Sequence, residues 1–263
     1  LEAFLIENDI VGIEGVDTRA ITRILRDEGT MNAMIAPEGT DVEKALEQIK
    51  AYKITDAVGR VTCKEPYTIK GEGCSVAMLD FGVKMNMLRS LINRGCAVTV
   101  FPADTSAETI LAGGFDGVML SNGPGDPQDV SPVIELVREL RGKYPIFGIC
   151  LGHQIISLAC GAETYKLKFG HRGGNHPVKE LSSGRVEITS QNHSYAVREE
   201  SLVGTGLEVT HVNLLDGTVE GVHDTQNRMF SVQYHPESAP GPQDSAYLFD
   251  RFIRLMEEEK CHA

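Results

Sequence analysis

The five residues Gly148-Ile149-Cys150-Leu151-Gly152 constrain the fold of this chain more than any other stretch. They stand between an apolar run at 144–147 and a helix-like segment at 153–159. A cysteine with a glycine two residues away on each side, between a strand and a helix, is typical of a strained turn that lifts a nucleophile above a sheet edge. The N-terminus of the following helix would stabilise a thiolate there. We therefore predict that Cys150 is a nucleophile, against the alternative of a buried packing cysteine.

Strand and helix patterns alternate from Cys74 onwards. Strands are predicted at 75–80, 97–101, 117–120 and 146–149, and helices at 85–92, at 107–112 and from Ser131-Pro132. This order predicts an α/β fold with a central, mostly parallel sheet and flanking helices, whose ligands bind beyond the carboxyl ends of the strands. After Gly161 the chain is richer in β patterns, at 185–189, 208–212, 219–223 and 229–233, before a closing helix at 245–256.

The first 72 residues do not show the alternation of strand and helix patterns that begins at Cys74. Asp17 is a good N-cap for one helix, which Gly29 is placed to end, and a second helical pattern covers Val42 to Ile49. Residues 66–73 read as a linker, and the first 36 residues are too short to close a core of their own. We therefore expect residues 1–72 to be the C-terminal remnant of an N-terminal domain with its linker, and residues 73–263 to form a separate domain.

Composition excludes several classes of function. The net charge of −12 disfavours nucleic-acid binding, because phosphate would be repelled. No apolar run approaches the roughly 18 residues of a membrane span, so no membrane partner is expected. Six cysteines without a CxxC pair favour reduced thiols and a cytoplasmic location. The spacing of His171, His176 and His193 is not that of metal ligands, so we expect no metal site.

His235 and Glu237 follow the last predicted strand and share one face of an extended segment. An imidazole there would take the thiol proton, and the carboxylate would orient it, although such pairs are also common on surfaces. Backbone N–H groups of Gly123-Pro124-Gly125 and Leu151 could hold an oxyanion. For the Gly-Pro-Gly segment a plain type II turn fits equally well. Residues 191–195 suit either an amino-acid ligand or a capped turn.

Six segments together resemble the class I glutamine amidotransferases, and among them the small subunits of carbamoyl phosphate synthetase. The segments are residues 121–127, 147–154, 168–177, 191–193, 233–237 and 240–242. Residues 13–19 also look like the end of the N-terminal domain in that family. The resemblance covers essentially the whole chain and implies the class I glutamine amidotransferase fold over residues 73–263.

The resemblance implies a Cys-His-Glu triad of Cys150, His235 and Glu237. It also implies residues that hold glutamine through backbone or side-chain groups: Gly123, Gly125, Leu151, Gln154, Asn192, Ser194 and Tyr195. Ser194 stands where the family often has glycine, a change that a backbone contact should survive.

The implied reaction is hydrolysis of L-glutamine to glutamate and ammonia through a γ-glutamyl thioester on Cys150. In the family the ammonia passes through a tunnel to a large synthetase subunit, which forms carbamoyl phosphate for pyrimidine and arginine synthesis. The chain has no GxxxxGK[ST] loop, so we expect ATP and its metal ions on that partner of a hetero-oligomer, and no cofactor here. The alternatives are the glutaminase of another amidotransferase, such as that of anthranilate or GMP synthesis, a catalytically silent partner-binding module, or a stand-alone thiol hydrolase.

Overall fold

The computed structural model describes residues 1–262, which divide into two compact units, residues 1–54 and the chain from residue 55 onwards. The predicted boundary between residues 72 and 73 lies inside the second unit. Residues 55–72 belong there because a short strand, β1 (Tyr67–Ile69), pairs with the large sheet. The prediction of a plain linker at 66–73 is therefore wrong.

The first unit consists of α1 (Glu2–Glu7), α2 (Thr18–Glu28) and α3 (Val42–Ala51). The Asp17 side chain accepts a hydrogen bond from the Ala20 N–H at the start of α2, and the Gly29 N–H donates to Leu25 O at its end, as the sequence predicted. Asp41 caps α3 in the same way. The sequence analysis did not predict α1. None of these helices contains a buried residue.

The second unit is built on a ten-stranded sheet in the order β1-β3-β2-β4-β5-β10-β9-β8-β6-β7. Its other strands are β2 (Ser75–Asp80), β3 (Ala97–Pro102), β4 (Gly117–Leu120), β5 (Ile146–Ile149), β6 (Thr164–Glu180), β7 (Val186–Val197), β8 (Glu208–Asn213), β9 (Val219–Asp224) and β10 (Met229–Val232). Its helices are α4 (Met85–Ile92), α5 (Ala107–Ala112), α6 (Ser131–Leu140), α7 (Leu151–Ala159) and α8 (Tyr247–His262).

The five central strands β3, β2, β4, β5 and β10 are parallel, and the strands outside them pair antiparallel. This confirms the predicted α/β fold with a mostly parallel centre. Successive residues of the central strands enter two separate cores, because side chains alternate between the faces of a sheet. Val118 and Leu120 pack in one core, whereas Met119 packs in the other, where Phe147 stacks on Phe230 with ring centroids 4.4 Å apart.

The long strand β6 was not predicted. It pairs with β7 along most of its length, with shifts of register between Lys166 and His171 and between Gly173 and His176. No helix among residues 1–262 is long and apolar enough to cross a membrane.

Candidate active site

Cys150 occupies a strained turn between β5 and α7. Its φ of 56° lies in the left-handed region, which a non-glycine residue rarely adopts without support from the surrounding structure. The Cys150 N–H donates to Val232 O at 2.9 Å, and the Gly152 N–H donates to Ser121 O at 3.1 Å. A Cβ on Gly152 would lie 2.4 Å from Leu120 O, so the close approach to β4 requires glycine. The turn places the thiol at the N-terminus of α7, as predicted.

His235 and Glu237 lie at the same edge of the sheet. The neighbouring strands β5 and β10 are in register, with Ile149 opposite Val232, so the residues after each strand meet. His235 Nδ1 lies 2.7 Å from Glu237 Oε1, which leaves Nε2 as the ring nitrogen available to Cys150. All three side chains are buried. The structure therefore brings the three predicted triad residues together in the order thiol, imidazole, carboxylate.

The electrostatics of this group favour an ion pair. Burial lowers the pKa of His235, but the charges of Cys150 and Glu237 and the hydrogen bonds to both outweigh it and raise that pKa to about 9. Burial likewise opposes ionisation of Glu237, yet His235 and Lys84 together lower the pKa of its carboxyl group. At neutral pH His235 is therefore an imidazolium between Cys150 and a carboxylate, which is the charge state that a cysteine nucleophile needs in its partner histidine.

Lys84 is a member of this site that the sequence analysis missed. Its Nζ lies 3.0 Å from Glu237 Oε1 and 3.2 Å from His235 Nδ1, just before α4. The neighbouring Asn86 side chain donates to Glu237 O. A lysine at the end of a strand–loop segment carries no local signal of such a role. The position of Lys84 in the loop after β2 could have indicated this role, since β2 is a central parallel strand and ligands bind beyond the carboxyl ends of such strands.

The predicted oxyanion groups lie in the loop after β4 and at the start of α7. Gly123 follows β4, and a Cβ there would lie 2.6 Å from the side-chain atom Leu151 Cδ2, so the loop after β4 packs against the first residue of α7. Gly125 has a φ of 96° in the same loop. Burial, together with the nearby carboxylate of Asp126, raises the pKa of Tyr195 to about 12.

The other predicted glutamine-binding residues lie on α7 and β7. The Gln154 amide donates to Tyr195 O and to Gln233 Oε1, both at 2.9 Å, so it braces the end of β7. Asn192 pairs with Arg172 across β6 and β7. The structure thus gathers residues 192–195 beside α7 and the loop after β4.

Arg172 is a second residue that sequence reasoning missed. Its guanidinium donates to His193 O, to His171 O at 2.8 Å and to Ser194 Oγ at 2.7 Å. Burial lowers the pKa of this guanidinium, and the charge of Cys150 opposes that shift, which places Arg172 in the electrostatic field of the nucleophile. The serine that departs from the family pattern is therefore the partner of an arginine.

Comparison with known proteins assigns the chain to a family. Residues 77–255 match the family glutamine amidotransferase class-I, and residues 1–35 match the carbamoyl-phosphate synthase small chain, CPSase domain.

Two relatives extend over the whole chain. The carbamoyl phosphate synthase pyrimidine-specific small chain of Halalkalibacterium halodurans is 53% identical over 100% of this chain and 73% of its own length. The carbamoyl phosphate synthase small chain of Listeria monocytogenes is 52% identical over 100% of this chain and 74% of its own length. A putative GMP synthase protein from Thermoplasma acidophilum shares the fold, with a TM-score of 0.62 at 22% identity over 72% of this chain and 96% of that one. The chain therefore belongs to the carbamoyl phosphate synthase small chain family of class I glutamine amidotransferases.

Proposed function

We propose that this chain hydrolyses L-glutamine to glutamate and ammonia, with Cys150 as the nucleophile. The observation that carries the proposal is the buried group of Cys150, His235 and Glu237 at the N-terminus of α7, in which His235 Nδ1 lies 2.7 Å from Glu237 Oε1 and Cys150 helps to raise the pKa of His235. An imidazolium beside a cysteine at neutral pH suits attack on a carboxamide, because the leaving group needs a proton.

The geometry supports the following steps. The Cys150 sulfur attacks the γ-carbonyl carbon of glutamine, and the oxyanion forms beside the Leu151 and Gly123 N–H groups. His235 Nε2 gives its proton to the departing nitrogen, the C–N bond breaks, and ammonia leaves a γ-glutamyl thioester on Cys150. A water molecule then gives a proton to His235 and attacks the thioester. The C–S bond breaks, which releases glutamate and restores the thiolate.

The same proposal includes the fate of the ammonia. Two relatives are named as small chains of carbamoyl phosphate synthase, one of them pyrimidine-specific. We infer that this chain also supplies ammonia to a large synthetase subunit, in a hetero-oligomer whose ATP and metal ions lie on that subunit. Carbamoyl phosphate formed there would serve pyrimidine and arginine synthesis. The six cysteines are all free thiols, which suits a reducing cytoplasm.

Ammonia release from L-glutamine, measured with and without a carbamoyl phosphate synthetase large subunit, tests the proposal. Release that rises with the partner and is lost in Cys150→Ser is expected. Covalent labelling of Cys150 by a glutamine-like electrophile is expected as well. Ammonia release that persists in Cys150→Ser would contradict the assigned nucleophile. Absence of both release and labelling, even with the partner, would instead identify the chain as a catalytically silent module.

A further inference from the structure

Two histidines and a glutamate from three strands meet outside the triad. They are His171 of β6, His193 of β7 and Glu220 of β9, and one ligand atom from each lies within 4.8 Å of the other two. All three residues are buried, and Glu220 is fully inaccessible. The spacing of these residues along the sequence gave no metal signal, because the three strands bring together positions that are far apart in the chain.

Each histidine has one ring nitrogen that is hydrogen-bonded and one that makes no hydrogen bond to the residues that the structure describes. His171 Nε2 lies 2.8 Å from Asp216 Oδ2, and His193 Nδ1 lies 2.7 Å from Tyr195 O. In the neutral rings these nitrogens donate, so His171 Nδ1 and His193 Nε2 carry the lone pairs. Both of those atoms are buried and make no hydrogen bond within residues 1–262. Metal-binding histidines commonly donate their other N–H to a carboxylate or a carbonyl in this way.

The cluster also contains a fully buried carboxylate. The Glu220 carboxylate accepts from the amides of Gln191 and Asn213, both at 2.9 Å. Within the described part of the chain its only ionic partner is His171, whose Nδ1 is 3.4 Å from Glu220 Oε1, too long for a strong hydrogen bond. A buried charge of this kind requires a cationic partner.

We propose that His171 Nδ1, His193 Nε2 and the Glu220 carboxylate bind a divalent transition-metal ion, with Zn²⁺ as the best match. Two imidazole nitrogens and one carboxylate oxygen suit Zn²⁺, whereas Mg²⁺ and Ca²⁺ require mainly oxygen ligands. A fourth ligand is available from water or from Gln191, whose Oε1 is buried and has no hydrogen-bond partner among the described residues.

The ion would act as a brace for β7. His193 lies between Asn192 and Ser194, in the segment assigned to glutamine, and Glu220 lies on β9. A bound ion would tie this segment to β9 through its own ligands. This role is independent of the triad chemistry, so the metal site and the proposed glutaminase activity can stand or fall separately.

The test measures metal binding rather than activity. We would use the Cys150→Ser chain, in which the active-site thiolate cannot bind the ion, after treatment with a chelator. Zn²⁺ affinity is measured by competition with a chromophoric chelator, and the ligand field is read from the absorption of bound Co²⁺. One equivalent of Zn²⁺ is expected to bind, and Co²⁺ is expected to show a spectrum of nitrogen and oxygen ligands without a thiolate band.

Variants locate the ion. Asp216→Asn should weaken binding roughly 10–100-fold, because it removes the acceptor that orients His171. Glu220→Gln and His193→Gln remove ligands and should weaken binding further. His211→Gln is the matched control, since His211 is also buried with an unpartnered Nε2, and it should leave the affinity unchanged.

Thermal unfolding distinguishes a variant that has lost the metal site from one that has not folded. Zn²⁺ should raise the Tm of the Cys150→Ser chain and of its His211→Gln derivative, and should leave that of the Glu220→Gln derivative unchanged. If Glu220→Gln does not fold, the Zn²⁺ affinity of Asp216→Asn tests the proposal instead, because Asp216 is exposed and its substitution should weaken Zn²⁺ binding without unfolding the chain. Absence of Zn²⁺ binding, or binding that is equal in all variants, would overturn the proposal and leave the cluster as a buried ionic network.

Discussion

At the scale of single residues, the triad depends on how Glu237 and its neighbours set the charge of His235. Glu237→Gln keeps the shape of the side chain but removes the negative charge that helps raise the pKa of His235. We expect kcat to fall, but by less than the roughly 10²–10⁴-fold loss expected for His235→Asn, which removes the proton-transfer group itself. Steady-state glutaminase assays with both variants measure the ranking. A larger loss in Glu237→Gln would contradict the assigned roles.

Lys84 offers a second residue-scale prediction. Its ammonium lies 3.0 Å from Glu237 Oε1 and helps to lower the pKa of that carboxyl group. In Lys84→Met the pKa of Glu237 should rise, so the acidic limb of the pH profile of kcat/KM should move to higher pH. Lys84→Arg retains the charge and should restore the limb. An unchanged acidic limb in Lys84→Met would show that Lys84 does not control the ionisation of Glu237.

At the scale of secondary-structure elements, the elbow depends on the close packing of α7 against β4. A Cβ at position 152 would lie 2.4 Å from a backbone oxygen of Leu120, so Gly152→Ala forces α7 to shift. We expect a loss of about 1–3 kcal/mol in the free energy of unfolding and slower alkylation of Cys150. Gly174→Ala is the control, because its nearest neighbour would be 3.7 Å away, and it should change neither quantity. Urea unfolding and alkylation kinetics measure both effects.

The irregular pairing of β6 with β7 leads to a further prediction. Arg172 donates to two carbonyl groups and to Ser194 Oγ at the shifted part of the ladder, so it fixes residues 193–195. Arg172→Met should raise the KM for glutamine more than it lowers kcat, because the segment loses its position while the triad remains. Ser194→Gly removes only one of these bonds and should have a smaller effect. Initial-rate kinetics would contradict the role if kcat alone fell.

The same elements show how far the sequence could predict this molecule. The central strands were predicted because their buried residues form apolar runs bounded by turns, and the elbow because glycine is required on both sides of Cys150. Strand β6 was missed because glycines, charged residues and two register shifts break the alternation of period two. Lys84, Arg172 and the cluster around Glu220 were missed because each depends on contacts between distant strands, which no local spacing records.

At the scale of the whole molecule, the triad links stability to pH. The pKa of His235 rises from 6.5 to about 9 on folding, whereas the pKa of Glu237 falls below its ordinary 4.5. A raised pKa stabilises the folded state fully below the unfolded value, and this contribution is lost as pH rises through the folded value. A lowered pKa acts in the opposite sense, and its contribution is lost as pH falls. Both contributions are therefore present together between about pH 4.5 and 6.5.

We expect the free energy of unfolding to decrease by on the order of 3 kcal/mol between pH 6.5 and pH 9 because His235 loses its proton in the folded chain over this range. The difference between the chain and its His235→Asn variant reports this term together with its coupling to Cys150 and Glu237, because the titrating groups elsewhere are common to both. Urea unfolding at pH 6, 7.5 and 9 should show the two free energies converging as pH rises. Cys150→Ser should reduce the slope, since the Cys150 charge is among the causes of the raised pKa of His235. A constant difference across this range would mean that His235 is not charged in the folded chain at neutral pH, and the thiolate–imidazolium pair would then be absent.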